Sequence, residues 1–316
     1  MPHLNHTKKG FEMAKVSVLM NCFNGEKYVK EAIDSVYAQT YQDWEIVFID
    51  NCSTDRSFEI ANSYDNKIKI YKTPNNTSLC KARVFAEPFI HGDFLCILDI
   101  DDIWIPDKLE QQISTMESNP NVGLVYSNTM FFKDSGYEIP YYDKIMPSGN
   151  IFSKLLENYF FSFETVMIRR SVMKQYNLYF SPNYNVISDA EFFIKMAYNT
   201  EALYIDKILA KWRYGHTSES VQQLLSFPAE LEILLDELKD LIPNFEKTYS
   251  KEITTLHGKI FNMYGVGHWK KENIKVAREN FKKAKKINKK YLVPLIATYF
   301  LTYDKYHKLR LLKRKL

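Results

Sequence analysis

Glycine and proline are scarce, at 10 and 11 in 316 residues, so long flexible or low-complexity linkers are excluded. Neither GxGxxG nor GxxxxGK[ST] occurs, which removes the dinucleotide fingerprint and the P-loop. Cysteine is limited to Cys22, Cys52, Cys80 and Cys96, with no CxxC pair. Zinc is therefore a poor fit, and buried free thiols in a reducing cytoplasm are expected. Long hydrophobic runs are also missing. The window "YLVPLIATYFLT" has twelve residues and is interrupted by Pro294, where a spanning helix needs roughly twenty. The opening stretch "MPHLNHTKKGFEMAK" has no apolar signal core, so a cytoplasmic location is expected.

Aromatics and uneven charge are what the chain does have. It carries 22 Tyr and 21 Phe, and 46% of its residues are hydrophobic, ample for one large domain and a smaller one. Net charge is only +4, yet residues 251–316 hold 18 Lys or Arg against 4 Asp or Glu. An acidic body thus precedes a basic tail.

The apolar patterning alternates between two periods. "KVSVLMNC" (15–22), "WEIVFID" (44–50), "KIKIYKT" (67–73) and "FLCILDI" (94–100) read as strands. Tyr28, Val29, Ala32, Ile33, Val36 and Tyr37 form a helical stripe between the first two. Ser53, Thr54 and Asp55 are cap candidates for a helix over 56–64. A short helix is predicted over 78–90, strands over 122–132 and 202–215, a strand turning into a helix over 162–173, and a helix over 188–199. From about residue 220 the pattern is helical. Strands and helices alternating at this spacing predict an α/β domain with a mostly parallel, Rossmann-like sheet. Ligands bind beyond the carboxyl ends of such strands, where Asn21–Asn24, Asp50–Asn51 and Asp99–Asp102 fall. Domain boundaries follow: a tail over 1–14, a catalytic domain over 15–219 and a basic helical region over 220–316.

"FLCILDIDDIWIPDKLE" (94–110) sets Asp99, Asp101 and Asp102 within four positions at a strand's end. Hard oxygen ligands of this kind suit Mg²⁺ or Mn²⁺, which keep waters and bind substrate phosphates as well. The competing reading makes Asp102 the cap of a following helix, with Pro106 in its first turn.

From residue 15 to about 130 the chain resembles the inverting, nucleotide-sugar-dependent glycosyltransferases of family 2, which have the GT-A fold, through "VSVLMNCFNGEKYVKEAIDSVYAQTYQDWEIVFIDNCSTD", "NNTSLCKAR" and "LDIDDIWIPDKLE" in order. Further on, "SDAEFF" is similar to the family's E-D-x-[DE] segment. The resemblance implies roles. Asn21, Phe23, Asn24, Asp50 and Asn51 would form the base pocket, Arg83 would lie near the nucleotide phosphates, Asp99 would meet the ribose, and Asp101 the metal with Asp102 close by. In "SDAEFF" Asp189 would be the general base and Glu191 its neighbour; the simpler reading opens an ordinary helix there. In "KWRYGHTSES" His216 would ligate the metal or touch the diphosphate, and Arg213 would pair with phosphate. The implied cofactor is Mn²⁺ or Mg²⁺. The implied partners are a nucleotide diphosphate sugar, UDP- or dTDP-linked, and a glycan or lipid-linked acceptor. Departures from the family pattern are Phe23 for Tyr, Asn51 for a second Asp, Ser78 for Gly, Val84 for Asn and Ser188 for Glu. An amide at Asn51 still accepts from a uracil or thymine N–H.

A sugar nucleotidyltransferase would want a Gly-rich N-terminal loop with a Lys-Pro signature, which is absent. A non-catalytic nucleotide-sugar-binding subunit stays open. Trp212 reads most simply as core, with contact to a sugar as the alternative. In the tail, Gly265, Ala277, Phe281 and Ala284 fall at the spacing of one tetratricopeptide-like helix pair. "KYHKLRLLKRKL" is basic and amphipathic, which suits an anionic membrane surface as well as a solvated face. No motif points to nucleic acid.

Overall fold

The computed structural model describes residues 14–214 and 223–313. The chain divides into two compact units. The first comprises the residues up to Met146, Ser162–Tyr179 and Leu203–Arg213; the second comprises Pro147–Phe161, Phe180–Ala202 and Tyr214 onward. This division follows packing, whereas the boundary drawn at 219/220 follows composition.

The first unit is built on β1 (Val16–Cys22), β2 (Trp44–Asp50), β3 (Ile68–Lys72), β4 (Phe94–Ile97), β5 (Ile103–Trp104), β6 (Val122–Phe132), β7 (Glu138–Pro140), β8 (Met167–Arg169) and β9 (Glu201–Arg213). Sheet order is β3-β2-β1-β4-β8-β6-β9-β5, with β7 on β6. The β3-β2-β1-β4 half is parallel, and β8 then joins β4 and β6 antiparallel. The α/β expectation is met. Every residue of β1 is buried, as a parallel strand covered on both faces requires.

Helix α1 (Val29–Tyr37) buries Val29, Ala32, Ile33 and Val36, the stripe legible in the sequence. Helix α2 (Ser57–Asn62) follows Asp55, whose Oδ1 accepts from the Ser57 N–H at 2.9 Å; of the three cap candidates Asp55 takes that bond. Helices α3 (Leu79–Ala86) and α4 (Lys108–Ser118) flank β4 in the chain. Gly92 just before β4 has a packing reason. A Cβ there would stand 2.6 Å from the Ser17 backbone nitrogen, so any side chain would push the first strand away. No disulfide forms; Cys22, Cys80 and Cys96 are buried and Cys52 is half-buried. Trp212 departs from expectation. It is 38% exposed, edge-on to Phe131, because it falls on the open side of β9.

Helix α6 (Arg170–Gln175) belongs to the first unit. In the second, α5 (Phe152–Glu157) and α7 (Ser188–Asn199) precede α8 (Ser226–Leu241), α9 (Phe245–Thr248), α10 (Ser250–Lys270), α11 (Ile274–Ile287), α12 (Leu292–Ala297) and α13 (Tyr303–Lys313). The α10–α11 pair is the helix pair read from the sequence. Ala277, Phe281 and Ala284 are fully buried, and a Cβ on Gly265 would meet the Phe281 ring at 2.6 Å. Glycine there lets the two helices close on that ring. Among the described residues no helix is long and apolar enough to cross a membrane.

Candidate active site

The loops after β1, β2 and β4 bring the sequence candidates of the first unit to the carboxyl ends of the parallel strands. Asn24 (φ 51°) and Cys52 (φ 62°) both take left-handed backbone directly after strands, a turn that Asn tolerates better than most residues. Asn24 stitches the two loops together. Its N–H donates to Ser53 Oγ at 3.1 Å, and its Oδ1 accepts from the Thr54 N–H at 2.8 Å. Asp50 is fully buried; its Oδ1 accepts from the Ser53 N–H at 3.0 Å, and Lys72 Nζ lies 3.7 Å from its Oδ2.

Asn51 is spent on the neighbouring loop that follows β3. Its Oδ1 accepts from Thr73 Oγ1 and the Thr77 N–H, both at 3.0 Å, and its Nδ2 donates to the Thr77 carbonyl at 2.7 Å. Asn21, by contrast, is buried with neither amide atom hydrogen-bonded among the described residues. Phe23 is half exposed beside it in the chain. A buried amide without partners and an exposed ring suit a flat polar ligand.

Arg83 reaches back from α3, with its side chain 5% exposed. One guanidinium nitrogen lies 3.3 Å from Asp99 Oδ1, and the group stacks 4.3 Å over the Phe163 ring. Asp102 does not cap the following helix. That helix begins at Lys108 after Asp107, while Asp102 Oδ1 accepts the Arg213 N–H at 3.0 Å from β9. The intervening β5, which pairs with β9, postpones the helix by six residues. Burial, then the charges of Glu164, Asp101 and Asp99, push the Asp102 carboxyl well above its ordinary range.

The Arg213 guanidinium turns elsewhere. Its Nε donates to the Asp101 carbonyl at 2.9 Å, and its two terminal nitrogens pair with Asp134 and with Glu31. It lies between the Tyr28 and Phe132 rings. Where the sequence suggested a phosphate, Glu31 and Asp134 stand.

Beneath the aspartates lies a polar layer that sequence reasoning missed. Glu164 is buried, with Ser162 Oγ 2.7 Å from its Oε1, and burial raises its pKa. Lys108 is fully buried over the Trp104 ring at 4.0 Å and donates to Gln112 Oε1 at 2.6 Å. Burial lowers its pKa, against the pull of Cys96 and Glu164. Gln112 and Trp104 tie this layer to the backbone around Glu164, through Thr165 O at 2.6 Å and Glu164 O at 3.0 Å. The spacing of Lys108 and Gln112, one helical turn apart, was the available signal.

Asp189 and Glu191 belong to the second unit, in the first turn of α7. Asp189 is half-buried, and its Oδ2 accepts the Tyr159 O–H at 2.9 Å. Glu191 is buried and pairs with Lys195 Nζ at 2.5 Å, which reaches Glu237 at 2.7 Å. Burial, only partly offset by Lys195, raises the Glu191 pKa. His216 lies outside the described residues.

Among the described residues no group of three or more His, Cys, Asp or Glu is arranged to hold a metal ion. Mg²⁺ and Mn²⁺ do not require one, because they take one or two carboxylates plus substrate phosphates and water. Hard oxygens and an excess of negative charge around Asp102 fit such an ion.

The family model for "Glycosyl transferase family 2" matches residues 17–176, about half of the chain. The chain belongs to glycosyl transferase family 2. It is a glycosyltransferase. It is 27% identical over 226 residues to the Escherichia coli UDP-Glc:alpha-D-GlcNAc-diphosphoundecaprenol beta-1,3-glucosyltransferase WfgD, covering 70% of this chain and 85% of that one. It is 26% identical over 211 residues to the Bacillus subtilis putative teichuronic acid biosynthesis glycosyltransferase TuaG, covering 65% and 81%. Staphylococcus aureus TarS 1-349, solved with UDP, superposes with a TM-score of 0.57 at 17% identity, covering 93% and 91%. The Pyrobaculum calidifontis mannosyltransferase PcManGT, solved with GDP-Man and Mn²⁺, gives 0.62 at 15%, covering 94% and 84%. These likenesses establish a GT-A fold followed by a helical region.

Proposed function

We propose that this family 2 enzyme transfers a sugar, with inversion, from a UDP- or dTDP-linked donor to a hydroxyl of a glycan or lipid-linked acceptor in bacterial surface-polysaccharide assembly. The observation that carries the reading is the aspartate cluster after β4, with Asp102 buried among carboxylates. The names of WfgD and of the UDP-bound TarS support the donor class and the acceptor class.

Asn21, Phe23, Asn24, Asp50 and Asn51 hold the base, Asn21 through an amide without a partner among the described residues and Asn51 by shaping the loop after β3. Arg83 and Asp99 meet the ribose and phosphates. Asp101, with Asp102 and His216, would hold Mn²⁺ or Mg²⁺, which when bound stabilises charge on the leaving diphosphate. Arg213 fixes the aspartate turn through the Asp101 carbonyl and the Asp102 carboxylate. The Asp189 carboxylate takes the acceptor hydroxyl's proton as that oxygen attacks the anomeric carbon. The bond from that carbon to the diphosphate oxygen breaks on the opposite face, and its electron pair leaves with the nucleotide diphosphate.

A thermal-shift screen of nucleotide diphosphate sugars, with and without Mn²⁺, tests the donor and the ion together, since only binding to the folded state stabilises it. Metal-dependent stabilisation by UDP- or dTDP-sugars is expected in the wild type, and its loss in Asp101→Ala. Asp101→Ala with wild-type donor turnover would overturn the metal role.

The acceptor side has its own support. Val293, Ile296 and Phe300 are exposed, Phe300 by 79%, and exposed lysines flank them at 285, 286, 289, 290, 305 and 308. Apolar groups ringed by lysine suit an anionic membrane where a lipid-linked acceptor resides. Co-sedimentation with phosphatidylglycerol vesicles but not phosphatidylcholine vesicles is the expected result; equal recovery with both would remove the membrane role.

A further inference from the structure

Asp189 is held by two segments, each anchored by a helix of the C-terminal region. Tyr159 donates its O–H to Asp189 Oδ2 at 2.9 Å. Just before it in the chain, the Glu157 carbonyl and Asn158 Oδ1 both accept from Lys259 Nζ of α10, each at 2.6 Å. On the other side, the Glu230 carboxylate of α8 accepts three consecutive backbone N–H groups. Asn185 lies 2.9 Å from Oε1, and Val186 and Ile187 lie 3.0 and 3.1 Å from Oε2.

Those three residues lead directly into α7, whose second residue is Asp189. Three amides converging on one carboxylate make an anion-binding nest in reverse, in which the protein supplies the anion. The negative charge also lies at the positive end of α7, where it is favourable. Glu230 is 7% exposed, so it is not a solvated surface charge that happens to lie nearby. The arrangement leaves the 185–187 backbone, and hence the start of α7, little freedom to shift.

We infer that Tyr159 and Glu230 are positioning residues for the general base, and that the C-terminal helices are a working part of the catalytic apparatus. Tyr159 acts on the carboxylate itself by fixing the rotation of Oδ2, leaving Oδ1 to face the acceptor hydroxyl. Glu230 acts through the backbone that carries it. The inference rests on Asp189 being the base. A base displaced by about 1 Å costs up to roughly a hundredfold in rate, whereas donor affinity does not depend on the base.

The test measures transfer kinetics, donor affinity by calorimetry and thermal midpoint for the full-length chain. Tyr159→Phe keeps the ring and removes only the hydroxyl. It is expected to lower kcat about tenfold, with donor Kd and thermal midpoint unchanged. Glu230→Gln keeps one oxygen for the Val186 and Ile187 N–H groups but turns an NH2 donor toward the Asn185 N–H and removes the charge. It is expected to lose part of kcat, while Glu230→Leu loses most of it. In an Asp189→Asn background, Tyr159→Phe should cost nothing further, because residues acting through one group are not additive. Wild-type kcat in Tyr159→Phe, or an equal further loss in the Asp189→Asn background, would overturn the inference. Should Glu230→Leu not fold, Tyr159→Phe and Glu230→Gln still decide it. Full transfer by Asp189→Asn alone would instead remove the base, a failure distinguishable from this one.

Discussion

Each unit buries acidic groups, and the two clusters differ in what answers the charge. In the second unit Glu191 and Glu237 share the ammonium of Lys195. Burial works against that charge, yet the two carboxylates outweigh it and hold the Lys195 pKa above its usual value. In the first unit Asp102 has Glu164, Asp101 and Asp99 for neighbours and, among the described residues, the Arg213 N–H as its donor, while the Arg83 guanidinium answers Asp99 and not Asp102. The nearby Arg213 guanidinium turns to Glu31 and Asp134 instead. The difference teaches how to tell a structural charge cluster from a receptive one. The former carries its own cation at contact distance; the latter keeps its buried Asp102 without one among the described residues, the arrangement proposed above to receive a metal ion.

The largest effect expected from disturbing this comparison is on the compensated side. Lys195→Met leaves Glu191 buried without its partner and should cost roughly 3 kcal/mol in urea unfolding, since breaking a buried pair strands the other charge. A loss under a few tenths would show that the pair is solvated and the contrast false.

Next comes the opposite sign in the first unit. Asp102→Asn keeps an oxygen for the Arg213 N–H and removes one charge. It should stabilise the ligand-free protein by about 1 kcal/mol while reducing transfer. Calorimetry alongside a transfer assay reads both, and a fall in midpoint would refute the idea of under-compensation.

The smallest effect sharpens the comparison within the second unit. Among the described residues Lys259 donates to a carbonyl and an amide oxygen, and burial together with Lys290 pushes its pKa down to about 8. An unfolded lysine holds its proton to about 10.4. Between those values the unfolded chain binds more protons, so stability rises with pH through that window. The wild type should gain midpoint relative to Lys259→Gln from pH 8 to 10. Parallel curves would mean the ammonium stays charged in the fold.

Much of this architecture was legible in the sequence because its signals are periodic. The boundaries of β2, β6 and α7 coincide with the runs 44–50, 122–132 and 188–199. Helix α4 entered the sequence reading only as the helix that Asp102 would cap, and with too early a start, although Leu109, Ile113 and Met116 are buried at helical spacing; their stripe is diluted by Glu110, Gln111, Gln112, Ser114 and Thr115. Strand β5 is two residues long and exists only because β9 pairs with it, which no local pattern can announce. The aspartates of the candidate site were conspicuous because they are adjacent in sequence. Glu164, Glu230 and Tyr159 were not, because a lone polar residue carries no sign of the distant backbone or side chain it will meet. Asp102 had two readings at the sequence level, and the strand inserted before α4 removed the capping one.

Asn21 carries a consequence for fidelity. An amide buried with both ends unanswered among the described residues is a standing penalty on the free enzyme, on the order of 1–3 kcal/mol for each orphaned group. A nucleobase whose edge mirrors that amide cancels the penalty, and one that does not must be carried along with it. With Asn21 meeting the donor's base as proposed, the pocket would discriminate by refusing mismatches more than by rewarding matches. Trimming Asn21 to a small apolar residue should make the enzyme less choosy, and not simply weaker.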